Sequence, residues 1–481
     1  MKRKQILASI LCSLLLVSCG SGSTAQKEDT STPPSSEEST TVAAPAVPVR
    51  DFGGKTFTFY IRYEADGWDW NVSDFIADTQ NGEPVNDAVY KRNSRVEDLY
   101  NCKIEQVKSG DAWGTGNIKN SILSGDGSYD GTILPGRGMV GLGLEGLLID
   151  LNILPDIDLT KDYWNPKLCE ELSLGGKSWY AMGDLSATDN RAVRCLFFNK
   201  DLFKKYELEN PYELVNNGTW TIDKFLSMVS GGLVDLNGDG QYDENDQWGL
   251  YVQETIGQNL FYATGNSFIA KEKDGTLSIA MDGEKTLAVM SDIADKVVRS
   301  KSAINISNDY EALIPLFADG HSLFYSEVSL FLERFRQYEF DVGVLPMPKY
   351  DENQADYSQF ADGGCMSFAG IPIDSKTPDD TALLLEALSA ESVDTLTKAY
   401  YDICLTGKSI RDEESSGMLD IIFRSYIVDY ADLLGEAWSS KYTQGLIVAL
   451  RGDKEVASTV ASATKMIQKR IDEVNNKANE N

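Results

Sequence analysis

The sequence is poor in histidine and in basic residues. It has one histidine, His321, among 481 residues. A Ser–His–Asp triad or a histidine-rich metal site is therefore nearly excluded. Lysine and arginine number 44 against 74 aspartates and glutamates, which gives a formal net charge of −30. So acidic a chain is repelled by nucleic-acid phosphates and by an anionic membrane face. The composition therefore argues against nucleic acid as a partner.

Paired cysteines and catalytic motifs are also lacking. No C-x-x-C pair occurs, and outside the N-terminal Cys12 and Cys19 an odd number of cysteines remains, so we expect no disulfide scaffold and at least one free thiol. The G-x-S-x-G, H-E-x-x-H and P-loop patterns are absent. Carboxylates are too abundant for the two catalytic acids of a glycosidase to be singled out. The sequence favours a protein that is not an enzyme, with a carbohydrate-active enzyme as the weaker alternative.

Beyond the N-terminus no apolar run is long enough for a transmembrane helix. The basic start MKRK precedes ILASILCSLLLVS, which has the length of a signal-peptide core and is too short to span a bilayer comfortably. This segment ends in LVSC, which resembles a bacterial lipobox and predicts a lipoprotein signal peptide over residues 1–18 with lipidation of Cys19. An ordinary signal peptide with an incidental cysteine is the alternative. The expected location is the outer face of the cytoplasmic membrane, on the periplasmic side in a Gram-negative host.

Residues 19–50 separate the predicted anchor from the folded part. They are rich in Ser, Thr and Pro and low in aromatic residues. Such a segment cannot bury enough apolar surface to fold, so it is predicted to be a disordered tether. The rest of the chain is then held outside the membrane by lipid alone.

The most specific local pattern is DLNGDGQYDENDQWG, which begins at Asp235. Counted from that residue, oxygen-bearing side chains fall at the EF-hand positions, and Gly240 falls where the calcium loop must turn sharply. The predicted ligands of a structural Ca²⁺ are Asp235, Asn237, Asp239, Gln241 through its backbone carbonyl, Asp243 and Asp246. The last of these replaces the usual bidentate Glu, and its shorter side chain is expected to weaken the site. A solvated acidic turn is the alternative.

Strand and helix patterns alternate along the folded part. GKTFTFYI alternates apolar residues as a strand does, and PVNDAVYKRNSRVEDLYN places Val85, Val89, Val96 and Leu99 on one helical face. CKIEQV and YDGTILPG are further predicted strands. After residue 190 the alternation restarts, with RAVRCLFFNK as a buried strand and TIDKFLSMVS as a helix. The pattern predicts an α/β protein with two lobes and largely parallel sheets.

Several stretches together resemble the family 1 extracellular solute-binding proteins of ABC transporters, the sugar-binding group that includes maltose-binding types. The likeness is carried by NGEPVNDAVYKRNSRVEDLYNCKI, LLIDLNILPDIDL, LFFNKDLFKKYELENPYELVNNGTWTIDKF, DLNGDGQYDENDQWGL and VGVLPMPKYDENQADY, together with the lipobox and tether. In order, they run through most of residues 51–430.

The resemblance implies a type II periplasmic-binding-protein-like fold, in which a cleft lies between two lobes and the chain crosses the hinge several times. It places lobe 1 at residues 51–192 plus about 365–410, and lobe 2 at 193–364 plus about 411–481. Crossings are expected near Val193–Leu196 and Gly363–Ser367, with a third near residue 410. The implied partners are a carbohydrate and the permease subunits of an ABC transporter, with the receptor itself a monomer.

Sugars present C–H faces and hydroxyl rims, so their sites combine aromatic platforms with fixed polar groups. The predicted aromatic platforms follow the first strand, in YEADGWDW. The predicted polar anchors lie in the Gly-rich loop GRGMVG, beside the hinge crossings or at a strand end. The substrate-binding candidates are Trp68, Trp70, Arg137, Asp184, Glu327 and Asp362. Packing tryptophans, a surface arginine and solvated acids are the alternative for each.

Two motifs suggest other classes of protein. GRGMVG fits the dinucleotide fingerprint G-x-G-x-x-G, but it does not lie at the first strand–helix turn, and an extracytoplasmic protein has little access to NAD. DLNGDG resembles half of a dockerin, yet dockerins carry two such loops in a short C-terminal repeat. The sequence favours a lipid-anchored receptor that captures a carbohydrate, in the first place an oligosaccharide, for an ABC transporter. The alternative within binding proteins is a receptor for a peptide or an organic acid.

Overall fold

The computed structural model describes residues 47–111, 114–406, 413–434 and 443–480. All of them belong to one compact unit, Pro45–Asn481. Cys19 and most of the predicted tether lie outside the described residues. Strands and helices alternate as the sequence pattern predicts. The strands are β1 (Lys55–Ile61), β2 (Cys102–Lys108), β3 (Gly131–Pro135), β4 (Arg194–Asn199), β5 (Trp248–Val252), β6 (Ile269–Lys271), β7 (Leu277–Ile279), β8 (Ile304–Ile306), β9 (Ser322–Val328), β10 (Val342–Leu345), β11 (Gln359–Phe360), β12 (Ser367–Gly370) and β13 (Tyr426–Ile427).

The helices cover both sheets and include one long C-terminal helix. They are α1 (Pro84–Tyr100), α2 (Thr115–Ser124), α3 (Gly136–Leu144), α4 (Pro166–Glu171), α5 (Thr188–Arg191), α6 (Lys200–Lys205), α7 (Pro211–Asn216), α8 (Ile222–Gly231), α9 (Ile256–Ala263), α10 (Glu284–Ser300), α11 (Tyr310–Ala318), α12 (Phe331–Phe335), α13 (Pro378–Ser392), α14 (Lys398–Thr406), α15 (Glu413–Arg424), α16 (Tyr430–Leu433), α17 (Thr443–Leu450) and α18 (Val456–Glu480). A π-helical turn, Val393–Thr397, joins α13 to α14. Among the described residues no helix has both the length and the apolarity to cross a bilayer.

The first sheet has the strand order β12-β3-β1-β2. β1 pairs in parallel with β2 and β3, while β12 runs antiparallel to β3. Phe57, Phe59 and Ile61 are fully buried on one face of β1, as their alternation predicts. The second sheet has the order β10-β4-β9-β5-β8, with β5 parallel to β8 and β9, and β4 antiparallel to β9 and β10. An α/β fold with two main sheets, beside the two-stranded pairs β11-β13 and β6-β7, is therefore confirmed.

Helix α1 packs against the first sheet with a buried stripe that differs in one position from the predicted one. Val89 and Val96 are buried as expected, but Leu99 is 40% exposed and Tyr100 is buried in its place. The stripe also includes Arg92, whose guanidinium donates to the carbonyls of Phe75 at 2.8 Å and Leu185 at 3.0 Å. The helical period sets which positions of α1 are buried, and the hydrogen bonds to these carbonyls stabilise the buried guanidinium of Arg92.

Two stretches of chain that link the sheets lie side by side. Val193, before β4, bridges to Ala361, and the backbone N–H of Asp362 donates to the Ala192 carbonyl at 3.1 Å. β11 pairs in parallel with β13 on the other side. Helix α14 packs on α1, beside the first sheet, whereas the next described helix, α15, packs on α7 and on β10 of the second sheet. The segment between these two helices is residues 407–412, so the crossing expected near residue 410 lies outside the described residues.

Candidate functional site: an inter-sheet cleft and an acidic loop

Charged side chains from both sheets meet at the carboxyl ends of β1, β3 and β9 and at the start of β4, which runs antiparallel to β9. Arg62 follows β1, and Arg137 lies in the first turn of α3, directly after β3. From the second sheet come Arg194 at the start of β4 and Glu327 near the end of β9. Strand ends are where an α/β sheet places its ligand-binding loops. The edge shared by the two sheets is therefore the candidate ligand cleft.

Glu327, a predicted anchor, is held by an arginine and an amide. Its side chain is 2% exposed and accepts hydrogen bonds from Arg194 Nη1, at 3.0 Å for Oε2. Gln253 Nε2, just after β5, donates to both carboxylate oxygens at 3.2 and 3.0 Å. Burial raises the pKa of Glu327 above its ordinary value, although Arg194 opposes that rise. The carboxylate is fixed in place by partners within the protein.

Arg137 and Asp362, two further candidates, meet in one ion cluster. Arg137 Nη2 lies 3.3 Å from Asp362 Oδ1 and also contacts the Asp432 carboxylate, while its Nε donates to the Asp432 carbonyl at 3.0 Å. Burial acts to raise the pKa of Asp362, but Arg137 and Arg194 outweigh it and hold the pKa below its usual range. Burial raises the pKa of Asp432 to about 6 against the attraction of Arg137. One arginine thus connects α3 to the crossing segment and to α16.

The predicted tryptophans occupy the loop after β1. Trp68 is half-buried, and the guanidinium carbon of Arg62 lies 4.6 Å from its ring centroid, a cation–π arrangement. Arg62 is 2% exposed and donates to the Cys365 carbonyl at 3.1 Å. Burial lowers its pKa to about 10. Trp70 is half-buried and packs against the main hydrophobic core. Of the two, Trp68 is the one joined to the charged cluster.

One ion pair joins the first-sheet loop to the second sheet. Asp69, between the two tryptophans, contacts Arg334 at the end of α12. The same guanidinium contacts Glu311 in α11 and lies 5.6 Å from the centroid of the Phe331 ring. Since Asp69 follows β1 and Arg334 follows β9, this contact spans the candidate cleft.

Asp184 lies in a different place. Its Oδ1 accepts a hydrogen bond from Thr397 Oγ1 at 2.8 Å, and burial raises its pKa to about 6. Nearby Asp189 is 7% exposed and accepts from the Tyr426 hydroxyl at 3.2 Å. Burial, and after it the charge of Asp184, raise the pKa of Asp189 to about 8. These acids face the π-helical turn and β13, whereas the other candidates face the arginines.

Apart from Arg137, the cations of this cluster were not among the residues predicted from the sequence. Arg62 and Arg194 each adjoin a strongly apolar strand. This position is a signal that can be read from the sequence, because a charged residue at the end of a buried strand either reaches solvent or is buried for a functional reason. Arg334 and Asp432 carry no such local mark. Their roles depend on partners more than 200 residues away in sequence.

The acidic loop predicted to bind calcium lies between α8 and β5, closed by a bridge from Val234 to Gln247. Asp235 accepts from the backbone N–H groups of Gly238 at 2.6 Å and Gly240 at 2.9 Å. Gly240 has φ of +79°, the left-handed conformation that favours glycine at the turn. This is the backbone that the EF-hand register requires at that position.

The last predicted ligand of this loop is the most buried. Asp246 is 0% exposed and accepts from the N–H groups of Leu236 and Asp243, both at 2.9 Å. The hydrogen bond from the Asp243 N–H makes the largest contribution to lowering the pKa of Asp246, and the bond from Leu236 lowers it further. Within the part of the chain that the structure describes, no three acidic, histidine or cysteine side chains are already grouped as a metal would need them. The oxygen donor set itself suits a hard cation such as Ca²⁺.

Comparison with known proteins defines the class. The family model for bacterial extracellular solute-binding proteins matches residues 77–388. The chain belongs to that family, which confirms the resemblance drawn from its sequence motifs. No curated protein sequence matches it significantly.

Solved structures share the fold at low sequence identity. An ABC substrate-binding protein from Listeria monocytogenes, in complex with cycloalternan, is 14% identical with a TM-score of 0.55, over 87% of this chain and 99% of that one. The GacH receptor of Streptomyces glaucescens, with acarbose, is 15% identical with a TM-score of 0.56, over 87% and 99%. A cyclo/maltodextrin-binding protein complexed with maltotetraose is 15% identical with a TM-score of 0.57, over 86% and 97%. The two-lobed fold is thereby confirmed.

Proposed function

We propose that this solute-binding protein captures a neutral carbohydrate, an oligosaccharide in particular, in the cleft between its two sheets and delivers it to an ABC transporter permease. The observation that carries the proposal is the internal neutralisation of the cleft. Arg137, Arg194 and Arg334 each have a carboxylate partner there. Such a cleft offers fixed hydrogen-bonding groups without an excess of either charge.

A cleft for an organic acid would need cations left over after these pairings. Arg137 is instead matched by Asp362 and Asp432, and Arg194 is matched by Glu327. Trp68, half-buried at the cleft, supplies an aromatic face of the kind on which a sugar ring stacks. The cocrystallised ligands of the three structural relatives are all carbohydrates. Together these points favour a sugar over an anionic solute.

The proposed mechanism is closure of the lobes on the ligand. For the described residues, the assignment of residues 51–192 plus about 365–410 to lobe 1 is supported by β12, which joins the first sheet, and by α13, which packs on α1. Lobe 2 would hold the remainder of 193–481. A ligand touching both lobes stabilises the closed state, since only there does it gain all its contacts. The Asp69–Arg334 pair shows that the two sides are within reach of each other.

We further propose that Cys19 carries a lipid, which tethers a monomeric receptor to the outer face of the cytoplasmic membrane. The lipobox-like LVSC and the Ser-, Thr- and Pro-rich residues 19–50 support this. The ligand would be handed over chemically unchanged, because the family is one of binding proteins. The tether leaves the folded part free to meet its permease.

We also propose that residues 235–246 bind one structural Ca²⁺. The EF-hand spacing and the left-handed Gly240 support it, and the hydrogen-bonded Asp246 would close the loop. The metal would neutralise a loop of carboxylates that otherwise repel one another. Its position, directly before β5, suits a role in fixing the start of this internal strand of the second sheet.

Thermal unfolding of the mature protein in calcium tests the main proposal. The panel contains mono- and oligosaccharides, amino acids, peptides and organic acids. A ligand that binds only the folded state adds about 2.7 kcal/mol at a hundredfold excess over Kd, which is a clear rise in Tm. A rise with one class of sugar is the expected result. A rise only with peptides or organic acids contradicts it, and slow consumption of a sugar without any rise would indicate an enzyme.

A further inference from the structure

The loop after β1, residues 63–75, carries the two candidate tryptophans and is here called the tryptophan loop. Its base is fixed by Asn71, which is 4% exposed. The Asn71 side chain accepts from the Glu64 N–H at 2.8 Å and donates to the Ala65 carbonyl at 2.6 Å. The tip is open, since residues 64–67 are exposed. The position of the tip therefore depends on contacts that the loop makes with other parts of the protein.

One such contact crosses the candidate cleft. Asp69 contacts the guanidinium of Arg334, and the two side chains are only 28% and 21% exposed. Arg334 is fixed on the second-sheet side, because it also contacts Glu311 and its guanidinium carbon lies 5.6 and 5.9 Å from the ring centroids of Phe331 and Tyr310. The arginine is thus held by its own side of the cleft, and Asp69 reaches it from the other.

The charges around this contact make Arg334 decisive for the position of the tip. Burial acts to lower the pKa of Arg334, but the attraction of Asp69, followed by the bond to Glu311, outweighs it and raises the pKa. The tip also carries Glu64 and Asp66, and the whole chain has a net charge of −30. Without the arginine, the acidic tip and Glu311 would repel each other. Arg334 therefore turns a repulsion across the cleft into an attraction.

We propose that Arg334 is a positioning residue for ligand capture, which through Asp69 holds the tip of the tryptophan loop, and Trp68 with it, against the second-sheet side before a ligand binds. The role of Trp68 as a platform rests on the proposed carbohydrate function, whereas the ion pair itself does not. A platform that is already in place costs less to order when the ligand arrives. Because salt screens ion pairs, ligand affinity should fall as the salt concentration rises.

Hydrogen–deuterium exchange of the mature protein without ligand tests this proposal. In Asp69→Asn the backbone amides of residues 64–70 should exchange about fivefold faster, which is the upper end for a partly exposed ion pair. Arg334→Gln should give the same increase. The double variant should exceed neither single variant, because each already removes the same interaction. Amides of β1 should be unchanged in all three, since the global fold does not depend on this pair.

Salt distinguishes an electrostatic contact from mere packing. Raising sodium chloride from about 0.05 M to about 1 M should speed exchange at the tip of the native loop and have no effect in Asp69→Asn. Asp66→Asn is the matched control, because Asp66 is an exposed carboxylate of the same loop whose contact, with the Tyr63 hydroxyl, stays within the loop. It should leave exchange at the tip unchanged after correction for intrinsic rates.

Equal exchange in the native protein and Asp69→Asn would overturn the proposal, as would an equal rise in Asp66→Asn. Additive effects in the double variant, or a native loop that does not respond to salt, would also overturn it, because the two residues would then not act as one ion pair. The measurement uses no ligand. A failed sugar panel would therefore leave its result intact and would remove only the assignment of Trp68 as a sugar platform.

Discussion

Two acidic regions of this protein find partners for their carboxylates in opposite ways. In the cleft, Glu327 is buried and paired with Arg194, which is 133 residues away in sequence. In the loop after α8, Asp235 and Asp246 lie within twelve residues of each other and accept hydrogen bonds from backbone N–H groups of the same loop. The first region brings its own counter-charges from distant elements, whereas the second is the loop that we propose to take a cation from solution. Charge density along the sequence therefore says little about which carboxylates are free to bind.

The largest effect is expected when one partner of the buried Arg194–Glu327 pair is removed. Glu327→Ala should lower the free energy of unfolding by about 3–5 kcal/mol, because the Arg194 guanidinium stays buried without its counter-charge. Urea denaturation gives the value. The control is the double variant Arg194→Met with Glu327→Leu, which removes both charges and should be more stable than Glu327→Ala. A single variant within about 1 kcal/mol of the native protein would contradict the buried-pair description.

Removing the cation tests the other region. Chelation of calcium with EDTA should lower the Tm, by an amount equivalent to about 2.7 kcal/mol if calcium had been a hundredfold above its Kd. Asp239→Asn should lower the Tm in calcium and reduce the effect of EDTA. Asp274→Asn is the control, since Asp274 is also a turn aspartate and accepts from Thr276. An unchanged Tm with EDTA, and no metal that copurifies, would mean that the loop is only a solvated turn.

The aromatic part of the cleft should matter for ligand affinity and little for folding. Trp68→Ala is expected to cost about 2 kcal/mol of binding free energy for the sugar that the unfolding panel selects, through loss of ring stacking and of the Arg62 contact. Isothermal titration calorimetry measures it. Trp248→Ala, at the calcium loop, is the matched control and should leave the affinity unchanged. Equal losses in the two variants would remove Trp68 from the site.

The raised pKa of Asp189, which lies away from the arginine cluster of the cleft, predicts that the stability of the protein depends on pH. The folded-state pKa of Asp189 is raised to about 8 from an ordinary value of 3.8, so the folded state binds its proton more tightly than the unfolded state does. This contribution is full below pH 4 and is lost as the pH rises towards 8, with a slope of at most about 1.4 kcal/mol per pH unit. Asp189→Asn should flatten the decline in denaturation curves over that window. A slope equal to that of the native protein would contradict the shift.

The local parts of the fold and site were predictable because their causes are local. The alternation in β1 and the left-handed glycine of the acidic loop follow from residues that are neighbours in sequence. Leu99 shows the limit: its spacing suits the apolar stripe of α1, but tertiary packing buries Tyr100 and leaves Leu99 40% exposed. Asp184 shows another, since proximity to a crossing in sequence did not place it with Arg137.

The sequence by itself determined the alternation of strands and helices, the acidic loop and the resemblance to solute-binding proteins, because each depends on short-range spacing or composition. Only the tertiary structure decided which charges meet. Arg137 reaches Asp362 and Asp432, and Arg334 reaches Asp69, across more than 200 residues of chain. An ion pair depends on a distance of a few ångströms in space. Spacing along the sequence does not give that distance for residues that lie in different sheets.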